Sequence, residues 1–270
     1  MLSWTLMLQG WGVIALAMLA LWIWQRRSGD AGIVDVGWTF ALGFLAVFYA
    51  SLGSGDPQRR LLLGLLVGAW SLRLGLYLLF DRVLSGQEDG RYQQIRENWG
   101  DKVQPFFLVF FQAQGALAVL LALPFAVVAV NPDPLSLWDG LAVVVMAASI
   151  GGETLADRQL ARWRRDPSTR GRTCRQGLWR YSRHPNYFFE WLHWWAYPLM
   201  AAGQAYFWVT LLSPLLMLFF ILKVTGIPPT EERALKSRGE DYRRYQRTTS
   251  AFVPWFPKEE AAQDTGKEPS

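Results

Sequence analysis

Apolar residues fall in long runs separated by short polar stretches. Seven runs read as bilayer-crossing helices: residues 4–24, 33–52, 60–80, 104–130, 137–156, 187–203 and 206–224. A bilayer core of about 30 Å takes about 20 helical residues, which most of these runs supply. The pattern predicts an all-α fold, a polytopic integral membrane bundle of seven transmembrane helices. Asn131-Pro-Asp-Pro134 and Ala201-Ala-Gly-Gln204 read as tight turns, pairing spans 4–5 and 6–7 as antiparallel hairpins. No internal repeat is visible. Residues 1–256 read as one membrane domain, and the polar stretch 257–270 as a disordered tail. The first run lacks a basic leader and a small-residue cleavage site, so it reads as a retained span.

Charge orients the bundle. Arg26 and Arg27 follow span 1; Arg82, Arg91, Arg96 and Lys102 follow span 3; an arginine run follows span 5; and Lys223, Arg233, Lys236 and Arg238 follow span 7. The opposite loops carry Arg59 and Arg60 only. Cytoplasmic loops carry the excess of Lys and Arg, which puts the N-terminus outside and the C-terminus in the cytoplasm. The net charge of +5 is absorbed by this asymmetry, so no nucleic-acid partner is expected. A hydrophobic fraction of 51% excludes an ordinary soluble domain. One cysteine, Cys174, and two histidines exclude a disulfide framework and argue against a metal centre.

Ionisable residues inside spans are costly and usually functional. Here they are Asp35, Arg73, Glu153, Glu190 and His193. In the orientation above, Asp35, Arg73, Glu153 and Glu190 share one depth, in the cytoplasmic half, and read as convergence on a pocket open to the cytoplasm. Helical phase agrees: Arg183, Asn186 or Tyr187, Glu190, His193 or Trp194, and Tyr197 follow a spacing of three to four residues. Glu153 and Asp157 share one face of span 5.

The interval Arg158–Arg183 holds nine arginines and no lysine. Lysine serves membrane topology equally well, whereas the guanidinium fork matches phosphate bidentately. With no glycine-rich strand–helix turn in the chain, a phosphate-bearing cofactor would be held by helix ends and this loop.

The run Gly177-Leu-Trp-Arg-Tyr-Ser-Arg-His-Pro-Asn-Tyr-Phe-Phe-Glu190 resembles the signature of the steroid 5-alpha-reductase-like membrane proteins, and especially their bacterial branch of unknown-function members. Asp35-Val-Gly-Trp38, Glu88-Asp-Gly-Arg-Tyr92 and Glu240-Asp-Tyr-Arg-Arg-Tyr245 with Pro254-Trp-Phe256 resemble that branch too. The resemblance implies a seven-helix fold in a bacterial inner membrane and NADPH-dependent reduction of a carbon–carbon double bond conjugated to a carbonyl. Residues from about 137 to 256 would form the cofactor side, and the N-terminal helices would enclose a lipid-like substrate. By motif match, Asn186 and Glu190 would hold the nicotinamide end, Glu190 also as a catalytic residue; Asp157, Arg164 and Arg183 the ribose and phosphates; Tyr242 and Arg247 would close over them; and Tyr187 would also be cofactor-binding. The steroid reductases carry an adjacent Gln-Glu pair on an early span and a Tyr on the next. Here Asp35 is the nearest acidic candidate, Trp70 stands at the Tyr position, and Tyr77 lies one turn from Arg73. Asp35, kept protonated by burial, or Tyr77 would then polarise the substrate carbonyl. The protein is expected to act as a monomer.

A second resemblance covers less of the chain. Arg183-His-Pro-Asn-Tyr187, Glu231-Glu232 and Tyr242-Arg-Arg-Tyr245 are similar to the S-adenosylmethionine-binding residues of isoprenylcysteine-type membrane methyltransferases. Asn186, Glu190 and the arginine-rich loop favour the reductase. A non-enzymatic lipid-binding protein is the third reading, and it leaves the convergent buried charge without a purpose.

Overall fold

The computed structural model describes residues 3–84, 86 and 88–259. The described chain is helical throughout. Its one β-type contact is an isolated bridge between Ser182 and Ser250. In chain order the helices are α1 (Trp4–Ser28), α2 (Ile33–Leu52), α3 (Pro57–Leu78), α4 (Gly90–Trp99), α5 (Val103–Leu121), α6 (Leu123–Ala129) and α7 (Leu137–Arg165). They continue with α8 (Pro185–His193), α9 (Ala196–Met200), α10 (Phe207–Thr210), α11 (Leu212–Phe219), α12 (Ile227–Arg238) and α13 (Glu240–Thr248).

Among the described residues, six helical segments are long and apolar enough to cross a membrane: Trp4–Ser28, Ile33–Leu52, Pro57–Asp81, Gly90–Ala129, Leu137–Arg165 and Phe207–Arg238. The chain is a membrane protein. The expected span at residues 187–203 is not among these six, because those residues form the two short helices α8 and α9. Two local causes act there. The His193 ring bonds the Glu190 carbonyl at 2.6 Å, and Trp194 N–H tightens back to the Trp191 carbonyl at 3.2 Å. Pro198 then removes one donor from the ladder. Most of the expected polar tail, 260–270, lies outside the described residues.

The chain divides into two compact units: Met1–Val144 with Trp195–Ser213, and Val145–Trp194 with Pro214–Ser270. In the first, small residues let helices approach closely. Gly43 of α2 faces Ser71 of α3, whose hydroxyl donates to the Thr39 carbonyl at 2.9 Å. Gly75 of α3 faces the Phe40 ring. Close approach of this kind, rather than the hydrophobic effect, drives helix association in lipid. Polar bonds add to it: Gln25 donates to Gln104 Oε1 at 2.7 Å, and Gln112 to the Ala15 carbonyl at 3.1 Å, tying α1 to α5.

Arg59, at the start of α3, is 2% exposed. Its Nε and Nη2 clamp the two oxygens of Asp139 at 2.8 and 2.7 Å. Nη1 donates to the Asp133 carbonyl at 2.7 Å, so the pair also fixes the turn before α7. Arg60 donates to the carbonyls of Ala50 and Gly53 at 3.0 and 2.8 Å, closing the C-terminus of α2. Both arginines of these loops are thus committed to structure.

Removing one member of a buried pair leaves an uncompensated charge and costs about 3–5 kcal/mol. Arg59→Met and Asp139→Leu should each lower the thermal unfolding midpoint in detergent strongly, and the double variant should recover most of the loss. Additive losses in the double variant would show that the two residues act independently.

Candidate functional site

The second unit contains a cavity of about 310 Å³. Four pieces of chain build it. From α7 come Leu160 and Arg164, four residues apart and so on one face. The loop before α8 gives Arg183 and His184; the first turn of α8 gives Asn186 and Tyr187. Thr230, Arg233, Ala234, Ser237 and Arg238 repeat at three and four residues and form one stripe of α12. Tyr242 and Tyr245 project from one face of α13.

Glu231 holds these pieces together. Its Oε1 accepts from Arg183 Nε at 2.7 Å and lies 3.1 Å from His184 Nε2; its Oε2 accepts from Gln246 at 2.7 Å. Arg183 Nη1 donates onward to the carbonyls of Gln246 and Thr249, at 3.0 and 2.6 Å. Loop, α12 and α13 are therefore joined through one carboxylate and one guanidinium. Tyr187 extends the join. Its hydroxyl lies 3.1 Å from Thr230 Oγ1, and its ring stacks on His184 with an interplanar angle of 9°. Tyr245 donates to the Trp179 and Ser182 carbonyls. Asp241 accepts from Thr173 N–H at 2.7 Å and from Arg175 at 2.9 Å, fixing the arginine-rich loop to α13.

A second cavity, of about 430 Å³, adjoins the first and shares Leu160, Arg164, Cys174 and Arg238 with it. Arg165, Arg170 and Arg172 line it further, with Asp166 as its acidic residue. Among the described residues, Arg164, Arg165, Arg170, Arg172 and Arg238 have no ion pair or hydrogen bond from the guanidinium. Among the described residues lining the first cavity there is no Asp or Glu.

Burial sets the protonation of the lining groups. It pushes the His184 imidazole below its usual value, against the opposing pull of Glu231. Burial pushes the phenols of Tyr242 and Tyr245 up, and the Cys174 thiol up as well. Cys174 is therefore a thiol, not a nucleophilic thiolate.

Of the residues singled out in the sequence, the first cavity gathers Arg164, Arg183, Asn186, Tyr187 and Tyr242. Asp157, Glu190 and Arg247 belong to the same unit but not to this lining. Glu190 Oε2 lies 3.7 Å from His193 Nδ1, and Arg247 pairs with Glu240 at 2.9 Å on the exposed side of α13. Asp35 and Tyr77 belong to the first unit. Asp35 accepts from Arg91 and from the Tyr92 hydroxyl, both at 2.9 Å. Both carboxylate oxygens of Asp35 are thus engaged within the first unit. The Arg73 guanidinium lies over the Tyr77 ring at 5.9 Å. The hub role of Glu231 and the lining roles of Arg233 and Arg238 were not foreseen. The signal was present in the spacing of 230, 233, 234, 237 and 238, which the count of loop charges had absorbed as topology.

A family model described as a protein of unknown function (DUF1295) matches residues 21–249. An uncharacterized protein of Schizosaccharomyces pombe is 30% identical over 209 residues, covering 67% of this chain and 59% of its own. The chain thus spans less than two thirds of the length of that curated relative. No solved structure matches the chain.

A His184 value lowered by burial stabilises the fold where the ring is neutral, above its ordinary pH of about 6.5. That contribution is lost progressively as pH falls from there through the lowered folded value. The unfolding midpoint should drop between pH 7.5 and 5, and His184→Asn should flatten that part of the profile. A parent midpoint constant over this window would contradict the assignment.

Proposed function

This chain belongs to the DUF1295 family of proteins of unknown function, and we propose that it is an NADPH-dependent membrane oxidoreductase that reduces a carbon–carbon double bond conjugated to a carbonyl in a lipid-like substrate. The observation that carries the reading is the set Arg164, Arg165, Arg170, Arg172 and Arg238, without ion pairs among the described residues, along the two adjoining cavities of the second unit. Guanidinium forks bind phosphate bidentately, and cavities of a few hundred Å³ suit a small-molecule ligand. The resemblance of residues 177–190 to the steroid 5-alpha-reductase signature supports the same reading.

The donor set fits a phosphorylated dinucleotide. Arg164 and Arg238 line both cavities and would bind its phosphates, with Arg165, Arg170 and Arg172 beside the 2′-phosphate. Asn186 offers an amide with both donor and acceptor to the nicotinamide carboxamide, and Tyr187 a ring already fixed by His184 and Thr230. By resemblance, Glu190 joins Asn186, Asp157 joins the ribose side, and Arg247 closes from α13. When bound, the cofactor supplies a hydride for the β-carbon of the enone. Tyr77 is the proposed donor to the substrate carbonyl, since Asp35 is committed to Arg91 and Tyr92.

The methyltransferase reading accounts equally well for the Arg183–His184–Glu231 contact. Charge separates the two. S-adenosylmethionine carries a sulfonium and an ammonium against a single carboxylate, a net positive charge, whereas the phosphates of NADPH are anionic and better suited to an arginine-rich lining. The commitment of Arg59 and Arg60 to structure supports an outer side poor in free positive charge, with the C-terminus in the cytoplasm.

In titrations of the detergent-solubilised protein, NADPH should bind more tightly than NADH, and the preference should shrink with added salt. Arg165→Gln with Arg170→Gln and Arg172→Gln should cost NADPH about tenfold or more in affinity and NADH far less. Equal affinity for the two nucleotides, or binding of S-adenosylhomocysteine in their place, would refute the proposal.

A further inference from the structure

The segment after α13 is an ordered strap with its large apolar side chains turned outward. Its backbone is pinned along its length: Arg183 N–H donates to the Ser250 carbonyl at 2.8 Å, Trp255 N–H to the Tyr181 carbonyl at 2.9 Å, and Lys258 N–H to the Thr248 carbonyl at 2.8 Å. The Ser182 hydroxyl donates to the Phe252 carbonyl at 2.7 Å. Phe252 is turned inward, 8% exposed, against Phe188 and Trp191. Its neighbours are not: Val253 is 52% exposed, Trp255 69% and Phe256 75%, with Tyr181 alongside the Phe256 ring.

We propose that Tyr181, Val253, Trp255 and Phe256 form an interfacial anchor that seats the strap on an anionic bilayer surface. A strap held this firmly, with three large apolar side chains facing out, presents a patch that water alone does not favour. The hydrocarbon core is excluded as its place, because a non-helical backbone exposed to lipid there would leave its polar groups unsatisfied. The headgroup level accepts both the backbone and amphipathic rings, which is why Trp and Tyr collect there. The patch is flanked by exposed Arg180 and Lys258, neither of which has a side-chain ion pair among the described residues. Glu259 is the opposing charge next to Lys258. Basic side chains at the edge of an apolar patch favour anionic headgroups. This inference rests on the strap alone and stands apart from the nucleotide reading.

Spin labels at Val253→Cys, Trp255→Cys and Phe256→Cys test it, with Lys236→Cys as an exposed control on α12. Cys174 is 4% exposed and stays in place, its labelling measured in the parent. The full protein is placed in phosphatidylcholine nanodiscs with and without a quarter of phosphatidylglycerol. Collision with oxygen relative to a water-soluble nickel complex reports depth. The three strap labels should show a several-fold higher oxygen-to-nickel ratio than the control. Phosphatidylglycerol should raise it further, and Arg180→Gln with Lys258→Gln should abolish that increment. Strap labels as open to nickel as the control would overturn the proposal. So would labels shielded from both reagents, which would mean a protein partner, or a parent indifferent to phosphatidylglycerol.

Discussion

The second unit depends on one contact, the Glu231 carboxylate against Arg183 and His184. Arg183 lies in the loop, Glu231 on α12, and the carbonyls that Arg183 reaches next are in and just after α13. Side-chain exposures of 11% for Arg183 and 14% for Glu231 mean that both charges are largely out of water. Such a pair adds little net stability over an apolar substitute, because desolvation offsets the attraction. Its consequence is geometric. Three segments distant in sequence are held in one arrangement, and the arginines that carry no ion pair are left lining the space between them.

The first unit obeys a different constraint. Its helices associate through small residues and interhelical hydrogen bonds, and its one deeply buried ion pair, Arg59–Asp139 among the described residues, closes the turn between α6 and α7. Here, too, buried charge is fully engaged. Arg164, Arg165, Arg170, Arg172 and Arg238 differ from that buried pair: they line the cavities with no ion pair among the described residues.

The long apolar helices were legible in the sequence because an unbroken apolar run of about 20 residues matches the thickness of a bilayer core. Helical phase brought out Arg183, Asn186 and Tyr187 of the cavity lining, and the family resemblance added Arg164 and Tyr242. The break after His193 stayed hidden, since hydropathy is blind to a ring bonding its own helix and to the position of one proline. Glu231 escaped as the hub because its partners lie 48, 47 and 15 residues away. No local pattern encodes a contact of that separation. The partners of Asp35 were hidden for a related reason: Arg91 and Tyr92 lie more than fifty residues on. The stripe on α12 was readable, but charge counted for topology hid it.

If the cavity closed by Arg183 and Glu231 holds a phosphorylated nicotinamide nucleotide, native mass spectrometry of the protein released from mild detergent should detect it directly. NADP should be bound to the parent and lost from Glu231→Ala while the protein remains folded. Recovery of S-adenosylhomocysteine, or of NADP at equal occupancy in parent and variant, would contradict that assignment.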